Sequence, residues 1–177
     1  MRKWLVAGGV IEGAALRDAS DVDPSSLLMV RNVRPSGRAD WTPPGGVIDS
    51  GEAAAEGLTR EVFEETGLQV VSWGALLYEV LAEAPGLGWR LRVEVHRAEV
   101  VHGELSVGAD PDGIVVGAEF VSADRCAEVI VSAPLWVREP LLDWLSRSGA
   151  DLPEVAPTFH YLAEGDRHEA LAVRRVG

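Results

Sequence analysis

The chain of 177 residues is predicted to fold as one mixed α/β domain rather than as a regular doubly wound sheet. Three observations lead to this class. Several segments rich in Val and Leu have the composition and length of strands. One segment, Asp49–Gly67, has helical periodicity and a terminal glycine. Strands and helices follow each other irregularly, whereas a doubly wound sheet alternates them.

Two strands are predicted near the start of the chain. Trp4–Glu12 is apolar with glycines, and Ser26–Val33 is rich in aliphatic residues. The segment between them, Gly13–Ser26, is polar and is predicted to be a surface loop. Pro35–Asp40 is predicted to be a turn. The next segment, Trp41–Ile48, contains two prolines followed by two glycines, which neither a helix nor a regular central strand accepts.

A helix follows, with signals at both ends. Asp49 and Glu52 have the spacing of a capping box, so we expect the helix to start there. At about 100° per residue, Leu58 and Val62 lie on one side and should face the core. Gly67 suits the left-handed conformation in which many helices end.

The second half of the chain is predicted to add strands and two short helices. The predicted strands are Val70–Ala82, Trp89–Val101 and Ile114–Val121. Asp110–Gly113 (DPDG) predicts a turn between the last two strands. Ser122 is a candidate cap for a short helix that follows it. Another helix is predicted over Glu139–Arg147, starting near Pro140 and ending at Gly149.

The end of the chain is predicted to be an addition to the main domain. We divide the chain into a domain of residues 1–150 and a C-terminal extension of residues 151–177. Two apolar stretches within Thr158–Val176 predict a β-hairpin. Its apolar residues need a partner surface, which is either the domain's own sheet or a second subunit. A homodimer is our expectation.

Composition and charge exclude several classes of protein. A formal charge of −12 repels nucleic-acid backbones, so we expect no nucleic-acid partner. The single cysteine, Cys126, cannot form an internal disulfide. No apolar run in the sequence is long enough to span a membrane, so we expect no membrane partner. These features together predict a cytoplasmic protein.

Three glutamates dominate one edge of the predicted helix. Glu61, Glu64 and Glu65 fall within an arc of about 100°, and like charges at these spacings cost about 0.2–0.5 kcal/mol per pair. Arg60, four residues before Glu64, can orient a carboxylate. A hard divalent cation such as Mg²⁺, which prefers oxygen ligands, would relieve the remaining charge. The alternative is a solvated acidic helix face without a ligand.

The segment Gly46–Leu68 resembles the signature of the Nudix (MutT-like) hydrolase family. That signature is Gly, five residues, Glu, seven residues, Arg-Glu-aliphatic, one residue, Glu-Glu, one residue and Gly-aliphatic. This sequence matches it throughout, with Gly46, Glu52, Arg60, Glu61, Val62, Glu64, Glu65, Gly67 and Leu68. The lead-in Trp41–Gly46 is also similar to what precedes the signature in many members. The resemblance therefore implies that residues 1–150 form a Nudix hydrolase domain.

The family resemblance implies a fold and a reaction. The fold is an α/β/α sandwich built on a mixed β-sheet. The reaction is hydrolysis of a nucleoside diphosphate linked to another group, by attack of water on phosphorus, with Mg²⁺ or alternatively Mn²⁺. Substrates of the ADP-ribose, nucleotide sugar and nucleoside triphosphate types all stay open. The implied partner is thus a small nucleotide.

The resemblance also implies roles for the signature residues. Glu61, Glu64 and Glu65 are expected to be metal ligands, and one of them also orients or deprotonates the attacking water. Arg60 is expected to fix a neighbouring glutamate. Glu52 is expected to be a peripheral acid that helps to bind metal or to hold the loop.

Two further residues are candidates for the site. The carbonyl oxygen of Gly46 is expected to reach the metal, because glycine allows close backbone approach. Glu119 precedes an aromatic residue on a late strand, and in some family members an acid there is a further metal ligand or the general base. Both assignments come from the resemblance.

Two other functions stay open on the same fold. A non-catalytic nucleotide sensor would bind nucleotides without turning them over. A prenyl diphosphate isomerase would need a cysteine in its pocket, and Cys126 follows the last core strand, which is a poor position. Trp73, Tyr78, Trp89 and Phe120 are candidates to stack on a base or to pack in the core.

Overall fold

The computed structural model of the protein describes residues 1–147, 153–167 and 170–177. Within these residues there are nine β-strands and three α-helices. The strands are β1 (Arg2–Val10), β2 (Leu27–Val33), β3 (Ala39–Thr42), β4 (Gly45–Val47), β5 (Gln69–Ala84), β6 (Trp89–His102), β7 (Val115–Val121), β8 (Thr158–Glu164) and β9 (Ala172–Arg175). The helices are α1 (Ala54–Thr66), α2 (Ala123–Val129) and α3 (Leu135–Ser146). In this described part of the chain, no helix is long and apolar enough to cross a membrane.

The strands form two sheets. The larger sheet has the order β4-β1-β6-β5-β8-β9, and the smaller has the order β3-β2-β7. The pairs β1–β6 and β5–β8 are parallel, whereas the other pairs are antiparallel. Helices pack on two separate buried clusters. The predicted mixed α/β class with a mixed sheet is therefore confirmed.

The core consists of these two clusters. One contains Leu58 and Val62 of α1, both fully buried, so the predicted inward face of this helix is confirmed. The other contains Cys126 of α2 and Leu141 of α3 against the larger sheet. Helix α1 packs against β1 and β4 at one edge of the larger sheet, so that α1 and β4 lie side by side. The candidate site lies there.

The proline-glycine segment fits where the structure places it. Pro43 and Pro44 lie between β3 and β4, and each of these short strands is at the edge of its sheet. Proline has no N–H to donate to a neighbouring strand. It is therefore tolerated at the edge of a sheet and not in a central strand, which has a partner strand on each side. The prediction that this segment avoids helix and central strand is confirmed.

The predicted start of α1 is wrong, whereas its predicted end is confirmed. The helix begins at Ala54, and the Glu56 carboxylate accepts the N–H of Ala53 at 3.3 Å. Asp49 and Glu52 instead form a turn before the helix, in which the Glu52 carboxylate accepts the N–H of Asp49 at 3.2 Å and also binds Arg60 of α1. The helix ends at Gly67, whose φ is 73°.

The predicted start of α3 is also wrong. The helix begins at Leu135, and Pro140 lies inside it rather than at its first turn. Pro140 has no N–H for the carbonyl of Trp136, which costs one helical hydrogen bond. Leu135, Trp136 and Val137 pack against the second core cluster, and this burial outweighs the lost bond. The predicted end, Gly149, is outside the described residues.

The C-terminal strands extend the larger sheet. β8 pairs with β5 in parallel, and β9 pairs with β8 antiparallel. Phe159 and Tyr161 of β8 are buried in the second core cluster, and the ring of Phe159 meets that of Tyr78 edge-on at 6.1 Å. The apolar side of the hairpin thus has a surface within its own chain. The division at residue 150 lies outside the described residues and stays a prediction.

Candidate active site

A polar cavity of about 530 Å³ lies beside helix α1, and we call it the acidic cavity. Its walls are α1, β4 with the residues around it, and the loop before β7. Six carboxylates and two guanidinium groups line it: Asp49, Glu61, Glu64, Glu65, Asp110, Asp112, Arg34 and Arg60. The helix brings Glu61, Glu64 and Glu65 to one wall, as their spacing predicts. The excess of acids makes this the most negative concave surface that we find in the described residues.

Arg60 binds several of these carboxylates at once. Its Nη1 donates to Glu61 at 2.8 Å and to Glu64 at 3.3 Å. Its Nε and Nη2 donate to the two oxygens of Glu52 at 3.1 and 3.0 Å. These bonds raise the pKa of Arg60 above its usual range and lower the pKa of Glu52. Arg60 therefore fixes the positions of two helix glutamates and of the preceding loop.

Glu65 is the most buried acid of the cavity, with 8% of its surface exposed. Burial raises the pKa of Glu65 to about 8, although the N–H of Gly45 donates to its carboxylate at 2.9 Å. The charges of Glu61 and Asp110 raise this pKa further. Burial also raises the pKa of Glu61, against the effect of Arg60. The cavity thus contains more negative charge than its own cations compensate.

Two glycines within Gly46–Leu68, the signature glycine Gly46 and Gly57 on α1, allow neighbouring side chains to approach the backbone closely. A Cβ atom at Gly46 would collide with the carboxylate of Glu61. A Cβ atom at Gly57 would lie 2.6 Å from Glu52 and 2.7 Å from Ile48, so the loop before the helix could not fold against it. The backbone of Gly46 therefore lies beside the carboxylate of Glu61, which is one of the expected metal ligands.

Two predicted site residues, Glu52 and Glu119, do not line the acidic cavity. Glu52 is joined to it through its bonds to Arg60, whereas Glu119 lies elsewhere. The side chain of Glu119 is 48% exposed and accepts a hydrogen bond from Arg125 of α2 at 3.3 Å. The neighbours Ala118 and Phe120 pack against the cluster under α1. Because side chains alternate along a strand, Glu119 points to the other face of β7.

Sequence reasoning missed two acids of the cavity. Asp110 and Asp112 were predicted only as parts of a turn, and that turn is confirmed by the hydrogen bond from Gly113 N–H to the carbonyl of Asp110 at 3.1 Å. The Asp110 carboxylate also accepts the N–H groups of Ile114 and Val115 at 2.8 and 2.9 Å. These bonds hold the loop against the cavity. Two acids in a tight turn were the available signal, but their distance from α1 in the sequence concealed it.

The donor set of the acidic cavity fits a hard divalent cation. Its ligands would be carboxylate and carbonyl oxygens, the kind that Mg²⁺ prefers. In the arrangement described, no three acidic, His or Cys side chains among the described residues converge as a ready metal site. Arg60 and the N–H of Gly45 bind several of the carboxylate oxygens instead. A bound cation would compete with these contacts.

Cys126 and the candidate aromatic residues lie elsewhere. Cys126 is fully buried, and its thiol lies 3.8 Å from the sulfur of Met29. Burial raises the pKa of this thiol to about 11, so it is a packing residue. Trp73 donates its indole N–H to Thr59 at 2.9 Å, and Trp89 is buried in the core. Of the four aromatic candidates, Tyr78 lines a cavity next to the site.

Comparison with solved structures gives the same fold. The E. coli ORF135 protein is 20% identical, with 85% of this chain and 96% of that chain covered and a TM-score of 0.63. A MutT protein from Methanosarcina mazei Go1 is 19% identical, with coverages of 82% and 92% and a TM-score of 0.58. An ADP-ribose pyrophosphatase from Streptococcus suis is 18% identical, with coverages of 88% and 98% and a TM-score of 0.52. At such identities the likeness shows the fold alone.

Comparison of the sequence with protein families gives the assignment. No curated protein matches this chain. The model of the NUDIX domain matches residues 4–142, which is most of the chain and includes the whole signature. Members of this family generally use divalent metals and act on small nucleotide substrates. With its fold, its signature and its acidic cavity, the chain belongs to the Nudix family of pyrophosphohydrolases.

Proposed function

We propose that this protein hydrolyses the diphosphate bond of a nucleoside diphosphate linked to another group, with Mg²⁺ as the cation and Mn²⁺ as the alternative. The observation that carries the proposal is the acidic cavity, where six carboxylates face two guanidinium groups. Such an excess of negative charge repels a diphosphate unless a divalent cation binds with it. Substrates of the ADP-ribose, nucleotide sugar and nucleoside triphosphate types are all compatible with the cavity.

The proposed metal ligands are Glu61, Glu64 and Glu65, together with the carbonyl oxygen of Gly46. When bound, the cation would neutralise charge on the phosphate oxygens and lower the pKa of the attacking water. Glu52 acts from the periphery, because its carboxylate is occupied by Arg60 at 3.0 and 3.1 Å. Arg60 orients Glu61 and Glu64 through its bonds to both.

We assign the orientation and deprotonation of the attacking water to Glu64. It is 29% exposed, and its contact with Arg60, at 3.3 Å, is longer than that of Glu61, at 2.8 Å. Glu64 therefore has the more available carboxylate. The location of Glu119, beside Arg125 and away from the acidic cavity, does not support a general-base role for it.

Turnover of a substrate panel tests the proposal. The protein is incubated with about 5–10 mM Mg²⁺, a generic range for a weakly bound hard cation, and with ADP-ribose, nucleotide sugars, nucleoside triphosphates, dinucleoside polyphosphates and prenyl diphosphates. We expect a nucleoside monophosphate product that disappears with a chelator and with Glu64→Gln. The matched control, Glu128→Gln on the exposed side of α2, should retain activity.

The same panel separates the other functions. Binding of nucleotides without any turnover would replace the enzyme assignment by a nucleotide sensor. An isomerase would convert a prenyl diphosphate without releasing phosphate, and the complete burial of Cys126 disfavours it.

A homodimer stays a proposal with its own measurement. The strand β9 is at the edge of the larger sheet, and an edge strand offers unpaired backbone groups to a second copy. Sedimentation at micromolar concentration should then show a dimer. A monomer alone would remove the proposal.

A further inference from the structure

A second cavity, of about 360 Å³, adjoins the acidic cavity, and we call it the apolar cavity. Its floor is the face of β1, β5 and β6 that carries Val6, Val80 and Val93, and its other wall is the start of α3. The two cavities share five wall residues: Arg34, Thr42, Gly45, Gly46 and Val47. A substrate with its phosphates beside the glutamates therefore has its other end at the opening of the apolar cavity.

The walls of the apolar cavity offer few hydrogen-bonding side chains. Arg34 and Thr42 lie at the junction, and Tyr78 and Trp136 lie among aliphatic side chains. No carboxylate and no Asn or Gln side chain is among the described residues that line it. Carboxylate and amide side chains offer the paired donors and acceptors that match the edge of one particular nucleobase, and this lining supplies none of them. This cavity therefore selects by shape and apolar contact.

Trp136 gives the apolar cavity an aromatic wall with a fixed orientation. Its ring meets that of Trp89 edge-on, with centroids 6.1 Å apart and an interplanar angle of 79°. Trp89 is itself buried, with 8% of its surface exposed, so it restrains the partly exposed Trp136. An aromatic side chain can stack on any nucleobase, because every base has a π-face.

Arg34 is the cation at the junction. Its Nη2 lies 3.6 Å from Asp40, beyond hydrogen-bond length, and its side chain is 44% exposed. Arg60, the other cation of the acidic cavity, is bound to Glu61 at 2.8 Å and to Glu52 at 3.0 Å. Arg34 is thus the more weakly held guanidinium and the one that can turn towards a phosphate.

We propose that the substrate spans both cavities, with Arg34 against a phosphate oxygen at their junction and the nucleobase beside Trp136 in the apolar cavity. The enzyme therefore accepts different nucleobases at similar rates. This inference rests on the proposed hydrolysis of nucleotide diphosphates, and it specifies how that same site selects its substrate.

The first test compares substrates that differ only in the base. With Mg²⁺ present, kcat/KM is measured for the ADP, GDP, CDP and UDP derivatives of glucose. We expect the four values to agree within about tenfold, because stacking tolerates every base. A preference above about 100-fold for one base would require matched hydrogen bonds and would overturn the inference. Faster turnover of a prenyl diphosphate than of every nucleotide would also overturn it.

The second test uses variants of the two named residues. Trp136→Ala should lower kcat/KM by about 10- to 100-fold for all four bases, mainly through KM, and Trp136→Phe should restore most of it. The matched control is Trp4→Ala, an exposed tryptophan of β1 that lines neither cavity. Arg34→Gln should raise KM for all four substrates alike, with part of the effect reversed in Arg34→Lys. An unchanged KM in Trp136→Ala would overturn the placement of the base.

A binding measurement separates this inference from the proposed function. Titration of the protein with ADP and with UDP, in the presence of Mg²⁺, should quench tryptophan fluorescence, and Trp136→Phe should lose most of the quenching. Turnover that survives both the chelator and Glu64→Gln would refute the proposed mechanism itself. Turnover that is abolished by both, combined with strong preference for one base, would refute only the inference drawn here.

Discussion

At the scale of single residues, Arg60 determines how the acids of the cavity are arranged. It contacts Glu52, Glu61 and Glu64 within 3.3 Å, and it acts through these carboxylates, of which Glu64 is the proposed base. We expect Arg60→Gln to lower kcat by about 100-fold, the size of effect that follows from small misplacement of catalytic groups. Arg60→Lys should restore little of the lost kcat, because one ammonium group cannot replace the several N–H donors of a planar guanidinium group.

The control for Arg60 is available on α2. Arg125 also pairs with a glutamate, Glu119, but it is 53% exposed and lies away from the acidic cavity. Arg125→Gln should keep its kcat. Equal kcat values in both variants would contradict a positioning role for Arg60.

Glu65 should make the metal-free protein less stable as pH rises. Burial raises its pKa to about 8, whereas the ordinary value is 4.5. Between these values the folded state binds more protons than the unfolded state, so the free energy of unfolding falls as pH increases. With a chelator at pH 8, Glu65→Gln should therefore melt higher than the natural protein. For this chain length the shift is about 2–4 °C per kcal/mol.

Melting curves between pH 5 and pH 8 measure this effect. The difference in Tm between Glu65→Gln and the natural protein should grow with pH when the chelator is present. Added Mg²⁺ should raise the Tm of the natural protein more than that of the variant. If the natural protein instead becomes more stable than the variant as pH rises from 5 to 8, Glu65 is not a buried carboxylate with a raised pKa.

The four charged residues of the α1 edge could be predicted from the sequence because helix spacing is a local property. Arg60, Glu61, Glu64 and Glu65 share one edge whatever the rest of the chain does. Residues from distant segments could not be placed this way. Arg34, Asp110 and Asp112 reach the cavity only through tertiary contacts, and the direction of Glu119 depends on which face of β7 is buried.

At the scale of elements, the start of α1 leaves room for stabilisation. Ala53 is the residue before the first turn, with extended backbone angles of φ −74° and ψ 147°, and it has no side chain that can cap the helix. Glu56 already accepts the N–H of Ala53. Ala53→Ser would complete a capping box, which contributes about 1 kcal/mol.

The expected result for Ala53→Ser is a Tm about 2–4 °C higher with unchanged turnover. The matched control is Ala55→Ser, two residues further along the chain and inside the helix. It should lower the Tm slightly, because serine is a weaker helix former than alanine. A Tm that does not rise in Ala53→Ser would mean that the backbone at this end is not free to bond the added hydroxyl.

For α1, the end was predicted correctly and the start was not. Glycine in a left-handed conformation ends α1 by a purely local rule, and the structure follows it at Gly67. The starts of α1 and α3 depend on tertiary contacts that local rules do not include. Arg60 of α1 binds the side chain of Glu52 in the turn before the helix, and packing of Trp136 and Val137 extends α3 to the N-terminal side of Pro140.

At the scale of the whole molecule, the sheet order joins distant parts of the chain. β5 has β6 on one side and β8 on the other, so the C-terminal strands complete the core that β5 begins. Tyr161 of β8 also donates its hydroxyl to Glu139 of α3 at 2.9 Å. Neither pairing follows from composition or periodicity, which is why the sequence predicted the hairpin but left its partner surface open.

This sheet order predicts that the C-terminal strands are needed for stability. Ending the chain after Pro157 removes β8 and β9 and exposes the surface around Tyr78 and Val80. We expect the shortened protein to aggregate or to melt well below the full chain, whereas ending the chain after Arg175 should have little effect. A shortened protein with the Tm of the full chain would mean that these strands are an independent extension.

In the proposed mechanism, the carboxylates of α1 bind a divalent cation in the acidic cavity. Titration with Mn²⁺, followed by the electron paramagnetic resonance signal of the free ion, measures this without any substrate. We expect the natural protein and Glu128→Gln to remove Mn²⁺ from solution, and Glu61→Gln and Glu64→Gln to bind it at least about tenfold more weakly. Equal affinity in all four proteins would contradict the claim, because the cation would then bind elsewhere.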